Sequence, residues 1–277
     1  MSARPGGQAA SVPYPLNTPL GRFGIETAEE HSDRCVASIP AAGLVNPLTG
    51  AATTAPVAML VDHAGGLINH ARRSPREWTV SSELSLELVP EAADIIAAAP
   101  GRDVVAVATP LGRKGLVALS VCELSVGAEV IATATVRSFY ITVPDTLAPW
   151  PDGPGGTLPG PRLDQLMAVS VGESGGTTAV LVQGDDPVLN NSVGAVHGGV
   201  ASMGLELVGN AAVNHGTLHE YRTASLRVNF LRPFHGGEQS HYRAEASHTG
   251  RSSAVADARA VGRDGRTAIA ARLTAYR

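Results

Sequence analysis

The residues best placed to do chemistry lie in one segment, N-S-V-G-A-V-H-G-G-V-A-S-M-G-L-E, from Asn191 to Glu206. Gly198 and Gly199 open an apolar run of helical length, and the first N–H groups of a helix have no intrahelical partner. Lacking side chains, the two glycines let a ligand approach that backbone. Such a tip favours partial negative charge, for instance on the oxygen of a polarised carbonyl. Asn191 and His197 can add donors or hold a water. Attack on a carbonyl also needs a carboxylate, as base for water or as nucleophile. Glu206 carries one, but seven helical residues span ~10.5 Å. It cannot reach a carbonyl held at its own helix tip, so it must serve the start of a neighbouring helix.

Two antiparallel helices side by side satisfy that geometry. A matching acid is Asp62, in V-D-H-A-G-G within the apolar run Val57–His70. Laying Asp62 on Glu206 puts Thr53, Thr54 and Ala55 where His197, Gly198 and Gly199 stand, and Asn46 falls one residue off the place of Asn191. The expected sites are therefore unequal. One joins Asn191, His197 and Gly198 to Asp62 and is complete; the other joins Glu206 to a Thr53/Thr54 turn and is altered. The competing structural readings are a helix cap without a ligand at His197, pairing of Asp62 with Arg72 or Arg73, and a purely structural Glu206. His63 and His70 read as surface or structural. His235-Gly236-Gly237 follows Pro233 and precedes no apolar helix, so it reads as a strand-to-strand turn. His215, His219, His241 and His248 lack metal-ligand spacing; no metal and no cofactor are expected.

The segment N-x-x-G-x-x-H-G-G, with an acid seven residues after the second glycine, resembles the hotdog acyl-CoA thioesterases of the phenylacetate-degradation type. Asn191, Gly194, His197, Gly198, Gly199 and Glu206 carry the resemblance. It implies sites between two hotdog units, a small-molecule acyl-CoA thioester as substrate, and a Ser or Thr on the next strand that orients the water. The residues in that place are Ser81, beside Asp62, and Thr223, beside Glu206. Gly199 would line the substrate site. A hotdog hydratase or dehydratase, or an acyl-CoA binder without activity, are the alternatives. The acid seven residues past Gly-Gly disfavours the hydratase class. Hotdog pairs stack through outer sheet faces, so a homo-oligomer of pseudo-dimers is a further expectation.

The elements around these residues repeat. After Thr53/Thr54 and Pro56, which suit a helix start, the apolar run gives way to Leu84, Leu86 and Leu88 alternating with polar residues, a half-buried strand. Strand-like runs follow near Asp103–Thr109, Gly115–Leu124 and Glu129–Thr142. The second half repeats the order: a strand at Thr178–Gln183, a helix from His197 to about Val213, alternation at Leu226–Phe230, then runs near 240–247, 254–261 and 266–276. G-R-K-G-L-V-A pairs with G-R-S-S-A-V-A, and G-A-E-V-I-A-T-A with G-R-T-A-I-A-A-R. A helix apolar nearly all round must be buried on most sides, and a sheet curling around it buries it. The expected fold is α+β, a double hotdog: unit 16–143, a Pro/Gly-rich linker 144–161 that cannot hold a helix or central strand, and unit 162–277.

Composition fits this reading. The 277 residues are 44% hydrophobic and 17% charged, enough for a core and wrong for disorder. Aromatics are 4%, so Ala, Val, Leu and Ile must build the core. A net charge of −4 gives no pull toward nucleic acid or anionic membrane. Cys35 and Cys122 lack metal or multi-bridge spacing and read as small hydrophobes. Met1–Pro15 lacks a basic start and apolar run, and no apolar run spans a bilayer. A cytoplasmic protein is expected.

Overall fold

The structure, a computed structural model, describes residues 14–148, 155–173, 178–217 and 220–277. In chain order the elements are α1 (Pro19–Arg22), β1 (Glu26–Glu30), β2 (Cys35–Ile39), α2 (Ala55–Ala71), β3 (Glu77–Leu88), α3 (Ala92–Ala97), β4 (Val104–Leu111), β5 (Val117–Val126) and β6 (Glu129–Thr142). Then come α4 (Leu163–Leu166), β7 (Val169–Val171), β8 (Thr178–Gln183), a 3-10 turn (Pro187–Leu189), α5 (Gly198–Asn214), β9 (Arg222–Phe230), β10 (His241–Thr249), β11 (Ser253–Val261) and β12 (Thr267–Tyr276).

The twelve strands among the described residues form one antiparallel sheet, ordered β1-β2-β4-β5-β6-β3-β9-β12-β11-β10-β8-β7. The order reads the same outward from its centre, with each first-half strand matched by its second-half counterpart. At the centre β3 pairs with β9, Leu84 opposite Val228 and Leu86 opposite Leu226. All four are buried on the helix side, while Arg227 reaches across the outer face to Glu87. Alternation sets the faces: β2 and β11 bury every second residue, as a half-buried strand must. The two repeat matches from the sequence hold, since Gly112–Ala118 leads into β5 and Gly250–Ala256 into β11. Gly127 and Gly265 open β6 and β12 from matching turns, both with positive φ (61° and 73°) that glycine adopts without strain.

The helices α2 and α5, 17 residues each, lie side by side within the sheet's curve. Between Ala55 and Asn69 only Gly66 and Leu67 escape burial, and between Gly199 and Val213 only Asn210. This is the all-round apolar helix that the sequence implied. Each fully buried Leu, Ile or Val contributes ~1.5–3 kcal/mol, so the two helices are the main adhesive of the molecule. Cys35 and Cys122 are fully buried, and burial pushes both thiols up to about 12. They flank Ala108 in the ladder and act as small core residues.

Strands β1 and β2 form a hairpin, because H-S-D-R between them turns the chain. The short helices α1, α3 and α4, the 3-10 turn and β7 had no readable periodicity. Linker residues 149–154, residues 1–13 and His219 lie outside the described residues. No described helix is long and apolar enough to cross a membrane.

Candidate active site

Helices α2 and α5 run antiparallel, so each N-terminus meets the middle of the other. The tip of α5 meets Asp62. A Cβ placed on Gly198 would lie 2.8 Å from Asp62 Oδ2, so the carboxylate packs where any other residue would carry its side chain. Gly199 is pressed against Met59, with its Cβ position 2.5 Å from Sδ. Both glycines are therefore required by close approach.

His197 is the N-cap of α5, and its Nδ1 accepts a hydrogen bond from the Gly199 N–H (3.1 Å). Burial holds this imidazole below the ordinary histidine range, against the opposing pull of Asp62. A neutral ring with Nδ1 accepting carries its proton on Nε2, where it can donate. His197 Nδ1 stands 3.5 Å from Asp62 Oδ2; with Nδ1 already accepting, this is proximity and not a hydrogen bond. Ser81, on β3, donates to Asp62 Oδ1 (2.9 Å). The carboxylate thus has one oxygen anchored and the other facing the helix tip. Arg72 and Arg73 do not pair with it; they bond the carbonyls of Gly112 and His70.

Asn191 heads the loop before the tip. Its Oδ1 accepts from the N–H groups of Val193 and Ala195 (both 3.1 Å), so this oxygen shapes the loop that delivers His197. Gly194 allows that loop its tight bend at φ 79°. Asn46 heads the matching loop in the first half. Its N–H bonds the Ala51 carbonyl, whereas that of Asn191 bonds Ala195. The first loop is one residue longer, which accounts for the register offset read from the sequence.

The tip of α2 meets Glu206, as the same offset requires. Here Thr223 donates to Oε1 (2.6 Å), Thr54 to Oε1 (3.4 Å) and Thr53 to Oε2 (3.1 Å). Thr53 Oγ1 also accepts from the Ala55 N–H, the bond that His197 makes to Gly199 at the other tip. Glu206 is 2% exposed. Burial pushes its carboxyl above the ordinary range, and the threonine hydroxyls oppose this.

His63, read from the sequence as surface or structural, is structural. His63 follows Asp62, is buried, and bonds Thr27 Oγ1 (2.9 Å), which in turn meets Tyr14 Oη (3.0 Å). Burial, reinforced by His197, pushes His63 down to about 3. It is a neutral structural histidine wedged behind the acid; no local spacing links Tyr14, Thr27 and His63. His70 bonds Thr79 (2.7 Å). His235 sits in the connection from β9 to β10 and reaches the Gly194 carbonyl (3.1 Å), bracing the Asn191 loop.

Comparison with known proteins agrees with this architecture. Residues 193–269 match the family model described as Thioesterase superfamily. No curated protein matches the chain. Among solved structures, a thioesterase II described as putative from Thermobifida fusca is 13% identical, with TM-score 0.61, covering 94% of this chain and 98% of that one. The tesB protein MAP1729c of Mycobacterium avium subspecies paratuberculosis is 12% identical, with TM-score 0.59, covering 93% and 97%. An acyl-CoA thioesterase II, TesB2, from Mycobacterium marinum is 12% identical, with TM-score 0.57, covering 90% and 94%. The chain is thus an α+β protein of the hotdog fold, and its C-terminal half carries the Thioesterase superfamily match.

Proposed function

We propose that the protein hydrolyses an acyl-CoA-type thioester at the meeting of Asp62 with the tip of α5, and that it works as two hotdog units, 16–143 and 162–277, joined by 144–161. The observation that carries the reading is the seating of the Asp62 carboxylate against Gly198. It brings a base and an electropositive backbone tip to one point, and each comes from a different half of the chain.

The thioester carbonyl oxygen sits at the Gly198 N–H, where the helix end stabilises the charge that develops during attack. Asp62 Oδ2 takes a proton from a water, whose oxygen bonds the carbonyl carbon. Ser81 keeps the carboxylate aimed. The tetrahedral oxyanion collapses, the C–S bond breaks, and the thiolate leaves with the proton from Asp62. The products are a free acid and a thiol. His197 holds the Gly199 N–H and presents its own Nε2 proton. No step requires Glu206.

The test is thiol release over short, long and aryl acyl-CoAs. The reading expects thiol and acid in equal amounts. Binding of acyl-CoA without thiol release would make the protein a binder. Loss of enoyl-thioester absorbance without free thiol would make it a hydratase.

A further inference from the structure

The loop that delivers His197 to the tip of α5 is held from the other half of the chain. Its stem begins at Asp186, which caps the 3-10 turn Pro187–Leu189. There Asp186 Oδ1 accepts from the Val188 N–H (3.0 Å), and the Asp186 carbonyl accepts from the Leu189 N–H (3.0 Å). Leu189 is buried, and its own carbonyl accepts the His197 N–H (2.8 Å). The second oxygen of Asp186, Oδ2, accepts from Arg22 Nη1 at 2.8 Å. Arg22 ends α1, in the first half, and is 7% exposed. Helix α1 is itself fixed. Thr18 Oγ1 caps it at the Gly21 N–H (3.1 Å), and a Cβ on Gly21 would strike the Pro15 carbonyl. A short chain of contacts thus runs Arg22–Asp186–Leu189–His197, from α1 to the group that accepts the Gly199 N–H.

The altered site has no matching pair among the described residues. The offset that lays Asp62 on Glu206 lays Arg22 on Leu166 and Asp186 on Ala42. A positive φ at both Gly24 (64°) and Ala168 (50°), two residues further on, supports that match between α1 and α4. Tyr14, Thr27 and His63, bonded together behind Asp62, fall on Leu158, Val171 and Leu207, all apolar. Burying a guanidinium is costly, and Arg22 Nε is buried without a hydrogen-bond partner. An apolar residue in such a place is often as stable or more so. Leucine serves at the matching place in the other half, so packing alone does not call for the charge. What the ion pair adds is one directional, charge-assisted bond to the stem of the His197 loop.

We infer that Arg22 and Asp186 are positioning residues, a clamp by which the first half of the chain sets the loop that holds His197 over its own acid, Asp62. The inference rests on the proposed thioester hydrolysis. Both residues act through Leu189 and His197. Loosening the clamp lets the imidazole and the helix tip drift relative to Asp62. Small misplacements of reacting groups cost rate far more than they cost binding.

The test is Arg22→Leu/Asp186→Asn, which copies Leu166 at one place and keeps an acceptor for Val188 at the other. Steady-state kinetics on one acyl-CoA should show kcat lower by about tenfold or more, with KM within about threefold and the melting temperature within a few degrees of wild type. In amide NMR spectra of the folded protein the Gly199 N–H, which bonds His197 Nδ1, should shift. Arg22→Lys keeps a charge for Asp186 and should retain at least about threefold more kcat than Arg22→Leu. If the double variant does not fold, Asp186→Glu decides. Its added methylene keeps the charges paired while moving the turn, and kcat should fall about fivefold at unchanged KM. Full kcat in the double variant, or in Asp186→Glu where that stands in, would overturn the clamp. So would a loss carried wholly by KM, equal losses in Arg22→Lys and Arg22→Leu, or a Gly199 amide that does not move. If the wild type releases no thiol, the hydrolysis reading itself has failed, and the Gly199 amide still judges whether the pair sets His197.

Discussion

At the tip of α5 an aspartate faces glycine backbone and a half-buried imidazole; at the tip of α2 a glutamate faces three threonine hydroxyls. The scaffold is the same at both places: an antiparallel helix pair, an acid in the middle of one helix, a hydroxyl on the adjoining strand. The surroundings of the acid differ. Asp62 has one oxygen fixed by Ser81 and the other turned to Gly198. Glu206 has both oxygens engaged by the protein, and Pro56 and the buried Ala55 close the tip it faces. A carboxylate whose lone pairs are taken up by fixed hydroxyls is held in place, and it has no free side from which to draw a proton from water. The comparison teaches that the two places share one geometry, and that Thr53-Thr54-Ala55 standing where the other tip has His197-Gly198-Gly199 leaves the second acid bonded by the protein on both oxygens.

Breaking the first site should have the largest effect. Asp62→Asn keeps the shape and removes the base, so kcat should fall by roughly 10³-fold with melting unchanged. Gly198→Ala puts a methyl 2.8 Å from Asp62 Oδ2. The acid or the tip must shift, and an approximately 10²-fold loss in kcat is expected by steady-state assay. Ser81→Ala frees Asp62 Oδ1 and should lower kcat about tenfold. The pH profile follows from His197 and His63, both held below their ordinary values by burial. The unfolded chain binds more protons than the folded one below about pH 6.5. Stability therefore rises with pH through that window and falls as acid is added; for His63 the loss continues down to about pH 3. Urea titrations from pH 4 to 8 measure this, and His63→Asn should flatten the slope.

The smallest effect on activity belongs to the second site. Glu206→Gln should change kcat less than about twofold, since nothing in the reaction passes through it. Its mark is on stability. The folded carboxyl sits above its ordinary value, so the folded state binds the extra proton and stability declines as pH rises through the interval above the ordinary glutamate value. Gln removes that penalty. Its advantage over wild type should be greatest at neutral pH and vanish in acid; an advantage that grows in acid would refute the assignment.

Much of this was legible in the chain. The His-Gly-Gly register fixed α5 and its open tip. The rise per residue forced the acid to come from elsewhere, and the offset between Asp62 and Glu206 named it. Alternation located the long strands within a few residues. The rest depended on distant contacts. No periodicity marks α1, α3, α4 or β7, which are too short. The role of Asn191 turned on a loop closed by its own side chain, and the extra residue in the Asn46 loop became visible only from the backbone bonds of the two loops. The Tyr14–Thr27–His63 network joins residues with no common spacing.

The most direct measurement is thiol release from one acyl-CoA by wild type, Asp62→Asn and Glu206→Gln, side by side with their melting temperatures. The account predicts activity in the wild type and in Glu206→Gln, near-complete loss in Asp62→Asn, and three folded proteins. Loss in Glu206→Gln with Asp62→Asn fully active would contradict it, by placing the chemistry at the threonine-lined tip.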